Sequence, residues 1–513
     1  MKMNMSGANA SPKGRSHQDM SKANASPTRS ASAVARSPRK GRSHKRWIMI
    51  ALSVSLLMGC RTVGPEYKRP LVKTPDTFRG SANTTPATDT SSLADLKWFE
   101  VFKDERLQQL TREALESNYD LRDAIARVDA ARATVGVTRA DQYPNIGVSS
   151  NVTTSRTSAG GAFVLPQAFE QQRTFGSLAL NLLSFEADIW GRLRSATQAA
   201  RADLLATDEN RKTVVMAVVG DVAGAYFNLL ELDMELGIAE RTLTTRQESL
   251  NLIRNRERSG LATLLEVRQG EQLVHTAEQV IPNVEQHIEQ TENQISLLLG
   301  RNPGRITRGL SLTEQEQPPA VPSGLPSALL ERRPDIRAAE QKLVSANAMI
   351  GVAKAAYYPR ISLTGFLGSQ SSQLSNLFSG PMGVWQFVPQ VAQPIFTAGR
   401  TRSIVELSQA QQQIALNQYE RSIQTAFREV SDTLVQYQKV REIRATQEQL
   451  VATLQDRSRL SYLRYRGGVD TLLNALDADR DLFGAELGLA QTRRDELLTL
   501  VQLYKALGGG WQQ

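Results

Sequence analysis

Two hydrophobic spacings divide the chain. Long stretches place apolar residues three and four apart, as in Val430, Leu434, Tyr437 and Val440. That is the period of a helix with one buried face. Four short stretches instead alternate apolar and polar residues. "NIGVSSNV" alternates Ile146, Val148 and Val152 with small polar residues, and "FGSLALNLLSF" follows it. "ISLTGFLG" alternates Ile361, Leu363 and Leu367, and "VWQFVPQVAQPIF" sets apolar residues against Gln386 and Gln390. Period two marks a strand with unlike faces. Strands are expected at about 145–157, 172–185, 360–370 and 384–396.

Arg194 to Glu257 contains no proline, and Thr401 to Arg466 contains neither proline nor glycine. At 1.5 Å per residue such helices reach about 100 Å. A compact core cannot use that length, so coiled-coil packing is expected. Shorter helices, about Glu105–Gln142 and Leu264–Leu299, can pack end to end along a long partner, with Pro282 kinking the second.

The pattern is written twice. "YDLRDAIARVDAARATVGVTRADQYP" (Tyr119–Pro144) matches "PDIRAAEQKLVSANAMIGVAKAAYYP" (Pro334–Pro359) at an offset of 215. "RERSGLATLLEVRQGEQLV" (Arg256–Val274) matches "RYRGGVDTLLNALDADRDL" (Arg464–Leu482) at an offset of 208. Units this long are no solenoid repeats; half of a domain is duplicated. Each unit reads helix, strand, strand, long helix, turn, helix. The divisions are a first unit at 104–302, a Pro-rich linker at 303–326 and a second unit at 327–508. Only the second copy of the turn carries Asp470, Asp477, Asp479 and Asp481.

Strands of about ten residues with one apolar and one polar face suit a membrane barrel lined by water. A sandwich or an ordinary exposed sheet shows the same alternation. Four strands close no barrel with a water-filled lumen, and a sheet with open edges cannot stand in lipid. Either the strands are soluble or several chains share one barrel. Three chains of four strands make twelve.

Charge narrows the function. The net charge is +9, but residues 1–59 hold 11 Lys/Arg against one acid, Asp19. The remainder is almost neutral, which argues against a nucleic-acid partner. The one cysteine, Cys60, excludes an internal disulfide and a cysteine-based zinc site. His275 and His287 lie twelve residues apart on a helical pattern and are not placed to share a metal. There is no phosphate loop, nucleophile elbow or H-E-x-x-H. No catalytic residues, cofactor or metal are expected, and the chain is not read as an enzyme.

The start reads as an export signal. Residues 1–41 are rich in Ser, Ala, Lys and Arg, the composition of disorder. Lys45 and Arg46 precede a twelve-residue apolar run, Trp47 to Met58, too short to span a bilayer. The run ends in Leu57-Met58-Gly59-Cys60, which resembles a bacterial lipobox. This implies cleavage before Cys60, whose thiol then carries diacylglycerol, making a palmitate-bearing lipoprotein. Residues 60–103 form the lipidated N-terminal segment.

Cys60-Arg61-Thr62-Val63-Gly64-Pro65-Glu66-Tyr67 with Pro70 resembles the C-x-VGP-[DE]-Y-x-x-P opening of outer-membrane efflux lipoproteins, TolC-family proteins of the OprM/NodT type. "WFEVFKDERLQQLTREALESNYDLRDAIARV" from Trp98 looks like their first helix, and both Tyr-Pro and both Gly-Arg junctions match. The likeness covers residues 60–510 or so. It implies a mainly α fold with a transmembrane β-barrel: a homotrimer with a twelve-stranded barrel in the outer membrane above an α-helical coiled-coil tunnel in the periplasm. It also implies a periplasmic adaptor and an inner-membrane pump of the RND class. The function implied is passive export of small molecules in a tripartite efflux system. The rival readings are a channel of a type I protein-secretion system and a lipid-anchored periplasmic coiled-coil scaffold.

The resemblance also assigns residues. Ser259-Gly260-Leu261 and Gly467-Gly468-Val469 look like the tips where adaptor hairpins dock, with Ser259 and Gly467 where the family has Val. Leu473, Asn474 and Asp477 match the periplasmic aperture; Asn474 replaces a family acid, so one acidic ring is expected. Glu266 and Tyr465 match positions that tie the closed helices, with Arg480 a further latch residue. Asp470, before Thr471, reads as a helix N-cap.

Overall fold

The computed structural model describes residues 62–79, 92–156, 158, 172–315 and 326–511. The leader, Cys60 and residues 316–325 of the expected linker lie outside the described residues. Seven principal helices and four strands follow in chain order: α1 (Glu105–Ser117), α2 (Tyr119–Ala140), β1 (Asn145–Arg156), β2 (Gln172–Glu186), α3 (Arg192–Arg258), α4 (Leu264–Leu298), α5 (Pro334–Ala355), β3 (Arg360–Ser371), β4 (Gly383–Ala392), α6 (Arg400–Arg466) and α7 (Leu472–Ala506).

The long helices α3 and α6 each run 67 residues, and α4 and α7 each run 35. Both long helices start from a glycine in the left-handed region, Gly191 (φ 75) and Gly399 (φ 84). At Gly191 a Cβ would also come within 3.0 Å of the Thr62 backbone. Glycine therefore allows both the turn and the close approach of the N-terminal segment. α4 continues through Pro282, whose ring nitrogen has no hydrogen to donate.

One expected helix is two. The pattern from Glu105 to Gln142 breaks at Asn118, which adopts an extended backbone. Its Oδ1 accepts from Leu121 N (3.1 Å) and its Nδ2 donates to Leu298 O (2.9 Å). An amide that caps one helix and closes the end of another stabilises the interruption. The start of the expected linker is also no free linker. Ile306 and Leu312 are buried. Asp104 accepts from Arg106 N, Leu107 N, Tyr226 Oη and Leu310 N at 2.8–3.1 Å, and so pins this loop to α1 and α3. Phe102, Phe227 and Tyr504 fill the core beneath it.

The strands form one antiparallel sheet in the order β1-β2-β3-β4. Its register sorts the side chains. Val148 pairs with Leu180, Leu180 with Leu367, and Leu367 with Trp385. Ile146, Leu182, Leu363 and Val391 extend the same face, and many of these residues are exposed. The opposite face carries Ser149, Asn151, Ser177, Asn181, Ser362, Thr364, Gln386 and Gln390, with Phe366, Val384 and Val388 among them. β4 ends at Ala392, short of the expected 396. Pro394 cannot donate to a ladder, and Gln393 turns its amide to Tyr357 O (3.2 Å). Among the described residues β1 and β4 each have one partner, so each leaves one edge unpaired.

Helix α3 packs on α7 as well as on its hairpin partner α4. On that seam Glu231 is buried 3.3 Å from Arg494 and beside Glu235. Burial, and then the Glu235 charge, pushes the Glu231 carboxyl up to about 7, against the pull of Arg494. The folded chain thus holds a proton that a free carboxyl releases near 4.5. Stability tied to it is complete below about pH 4.5 and is lost as pH rises through about 7. Glu231→Gln should therefore melt at a higher temperature than wild type at pH 8 and close to it at pH 5. Thermal melts at the two pH values check this; identical melting temperatures at pH 8 would refute it.

Candidate functional site

Each helical hairpin ends in the same turn. Ser259 caps α3, Gly260 has φ +72, and the N–H groups of Gly260 and Leu261 donate to Glu257 O and Arg256 O, both at 2.8 Å. Gly467 caps α6, Gly468 has φ +72, and Gly468 and Val469 donate to Tyr465 O and Arg464 O, both at 3.1 Å. These are two Schellman motifs, in which the left-handed residue needs glycine. A Cβ at either glycine would meet nothing within 4 Å, so the constraint is backbone conformation, not space. Leu261 and Val469, the next residues, stand 70% and 67% exposed.

The following helix starts differ. In the first copy Thr263 is the N-cap, with its Oγ1 accepting from Glu266 N while Glu266 accepts from Thr263 N at 2.6 Å. This capping box satisfies two free N–H groups. The second copy has Thr471 and Asn474 at those positions, and Thr471 makes no side-chain cap bond. Asp470 therefore precedes the N-cap instead of being it. Its carboxylate accepts from Thr471 N (2.8 Å), Asn474 Nδ2 (2.7 Å) and Arg464 Nε (3.0 Å). Arg464, then Asn474, holds that carboxyl below its ordinary range. Asn474 is thus occupied at the helix start.

The four aspartates of the second copy face different partners. Asp477 is partly exposed and lies 3.3 Å from Arg480, which also reaches Asp481 at 3.6 Å. Leu473, one turn earlier, is 54% exposed. Asp481 pairs with Arg457 of α6 at 2.7 Å. Asp479 points into the seam and meets Arg246 of α3 at 2.7 Å, nearly out of water. Burial raises the Asp479 carboxyl and Arg246 opposes the shift. Arg246 has no charge motif around it and lies 233 residues from its partner. Neither composition nor local spacing singles it out.

Tyr465 and Glu266 are not hydrogen-bonded within the chain. The Glu266 carboxylate is engaged by Thr263. Tyr465 is buried, its Oη has no partner, and burial raises its phenol pKa, with the Glu266 charge a smaller contribution. Arg256 lies over the Tyr465 ring at 4.7 Å. That stacking pair joins α3 to α6 where the resemblance implies a Glu–Tyr link. Arg480 stays on its own helix, against Asp477 and Asp481.

At the other end of α3, the N-terminal segment meets the foot of the sheet. Val63 N donates to Trp190 O at 3.2 Å. Trp190 stacks on Tyr358 at 4.7 Å and donates its Nε1 to Pro359 O at 2.8 Å. Arg192 grips Glu186 through two bonds of 2.7 and 2.8 Å, and Arg360 joins the same carboxylate at 2.7 Å. Strand ends and long helix are thereby held as one junction.

The model of the outer membrane efflux protein family matches residues 110–301 and 325–509. A probable efflux pump outer membrane protein of Pseudomonas putida, TtgC, is 36% identical over 471 residues, covering 91% of this chain and 96% of that protein. The cation efflux system protein CusC of Escherichia coli is 35% identical over 459 residues, covering 89% and 97%. The open-state crystal structure of the MtrE outer membrane channel of Neisseria gonorrhoeae superposes with a TM-score of 0.79 at 32% identity, covering 88% of this chain and 99% of that one. The duplicated hairpins and two-faced sheet described above run through the same span, and the chain belongs to the outer membrane efflux protein family.

Proposed function

We propose that the chain is the outer-membrane channel of a tripartite efflux system, a passive conduit for small molecules. It would be coupled to an inner-membrane pump of the RND class through a periplasmic adaptor. The observation that carries the reading is the sheet. One face is apolar and exposed, the other is mostly polar and uncharged along its middle, and both edges are open. An apolar face suits lipid, a polar face suits water, and open edges in lipid require partners. Three copies joined β4 to β1 give a closed barrel of twelve strands, with α3, α4, α6 and α7 continuing as a coiled-coil tunnel in the periplasm. Crosslinking of the detergent-solubilised protein should therefore stop at three chains. A monomer with full strand content would sink the shared barrel.

The lipid anchor fits the same frame. Thr62 and Val63 lie at Trp190 and Gly191, the foot of the sheet. Two further residues span about 7 Å, so an acyl chain on Cys60 would enter the leaflet at the strand feet. Cys60→Ser should abolish metabolic palmitate labelling; persistent labelling would remove the anchor assignment.

At the far end, Ser259, Gly260, Leu261, Gly467, Gly468 and Val469 would form the adaptor-docking rim. Leu261 and Val469 offer the apolar contact and the glycines hold the turn. Leu473 and Asp477 would line the aperture, with Asn474 beside them. Glu266, Tyr465 and Arg480 would contribute to the closed state. The Tyr465 hydroxyl is buried within the chain without a partner, so its contribution would come through the ring that Arg256 covers. Three Asp477 carboxylates around an axis attract divalent cations. In planar bilayers the purified trimer should pass small currents that periplasmic-side divalent cations block. Asp477→Ala should weaken that block. A trimer that never conducts would overturn the channel; unchanged block in the variant would remove Asp477 from the aperture.

A further inference from the structure

The seam between α3 and α7 is stitched by a ladder of polar pairs. From the tips upward they are Arg246–Asp479 (2.7 Å), Arg241–Glu486 (3.0 Å), Glu235–Gln491 (3.2 Å), Glu231–Arg494 (3.3 Å) and Asp221–Lys505 (3.9 Å). As the α3 number falls the α7 number rises, so the rungs belong to one antiparallel register. Their polarity inverts midway. The lower rungs put the base on α3 and the acid on α7; the upper charged rungs reverse this.

Three of the five rungs are partly in water, where such pairs contribute little, and a fourth buries Glu231 but leaves Arg494 26% exposed. The fifth is different. The Arg246 and Asp479 side chains are only 2% and 8% exposed. Arg246 also donates to Leu273 O of α4 at 3.0 Å and lies 4.9 Å from the Phe483 ring. The pair sits between two dry clusters, Leu250, Ile253, Leu472 and Leu476 on the tip side and Ile238, Ala239, Phe483 and Ala490 on the other. A charge buried there cannot lose its partner cheaply, because nothing else in the seam neutralises it. Sliding α7 by one turn, or rotating it, strands both charges.

Rotation matters because of what lies two residues away. Positions i and i+2 on a helix point about 200° apart. Asp479 turned into α3 therefore forces Asp477 outward, and Asp477 is indeed partly exposed. We propose that Arg246 and Asp479 are positioning residues of the gate: the buried pair fixes the rotation and register of α7 against α3, presents Asp477 and Leu473 to the constriction, and holds the uncoupled channel closed. The proposal rests on the reading of Asp477 as an aperture residue. It gives Asp479 a role that no local motif assigns.

The test is planar-bilayer recording of full-length trimers. Arg246→Gln and Asp479→Asn should each raise the current of the uncoupled channel by at least about tenfold and weaken divalent block, because Asp477 is no longer held in place. Asp479→Glu, which keeps the charge, should stay near wild type, and so should Arg241→Gln on an exposed rung. Intact Arg246→Gln and Asp479→Asn trimers with wild-type current and block would overturn the proposal. If neither variant assembles, Arg246→Leu with Asp479→Leu removes both charges together. A wild-type gate in that trimer overturns the proposal, and a leaky one supports it. Asp477→Ala separates the two readings. Lost block there, with unchanged behaviour in Asp479→Asn, overturns the positioning pair alone. Unchanged block in Asp477→Ala overturns the aperture, and with it the presentation of Asp477 proposed for the pair.

Discussion

An unpaired backbone edge is the constraint on which the rest of the structure turns. β1 and β4 each expose a row of N–H and C=O groups, and the sheet between them carries an apolar face. In water that sheet would invite aggregation; in lipid its edges would be intolerable. The proposed shared barrel answers both at once. It also explains why the duplicated unit needs only two strands in each half. The long helices leave the strand feet through Gly191 and Gly399, so the barrel's symmetry would be passed directly to the tunnel. The Glu186–Arg192–Arg360 cluster and the Trp190–Tyr358 stack make that junction stiff.

At the opposite end the duplication shows how one turn can serve two purposes. Both copies keep the Schellman glycine, because reversing a helix demands φ > 0 whatever the tip does. They diverge at the start of the next helix. The first copy satisfies its free N–H groups with a capping box through Glu266; the second uses Asp470 from outside, held by Arg464 and Asn474. The remaining aspartates of the second copy are then free for other work. One pairs with α6, one with α3, and one is left facing out. A conduit has no bond to make or break. In the proposed channel, control would lie in how firmly such contacts hold the tips.

The α3–α7 seam illustrates a general trade. Its apolar clusters would tolerate several registers, since dry contacts are not directional. The charged rungs add little energy on the surface but penalise every wrong alignment, and the inverted polarity removes the compensating shifts. Glu231 shows the other side of that trade. Burying a second acid beside Glu235 costs stability near neutral pH, and Arg494 offsets only part of it.

The strands were legible in the sequence because period two is a local property. Ile146, Val148 and Val152 declare their face without reference to anything distant. The long helices and the glycine turns were legible for the same reason: propensity, the absence of proline and the need for φ > 0 all act over a few residues. Local patterns failed where a partner far along the chain decides. Asn118 breaks a helix by reaching Leu298, and residues 306–312 fold onto Asp104 and Tyr226 instead of spanning freely. Spacing alone could separate Asp477 from Asp479 onto opposite faces. It could not say which would be buried, because that depends on Arg246 arriving from another helix. Nor could it show Glu266 engaged by Thr263 and Tyr465 covered by Arg256. Sequence by itself determined the periodic elements and the turns, whose physics is local. Tertiary structure decided which charges are paired and which face outward, because desolvation and Coulomb energy depend on neighbours that only packing brings within a few ångströms.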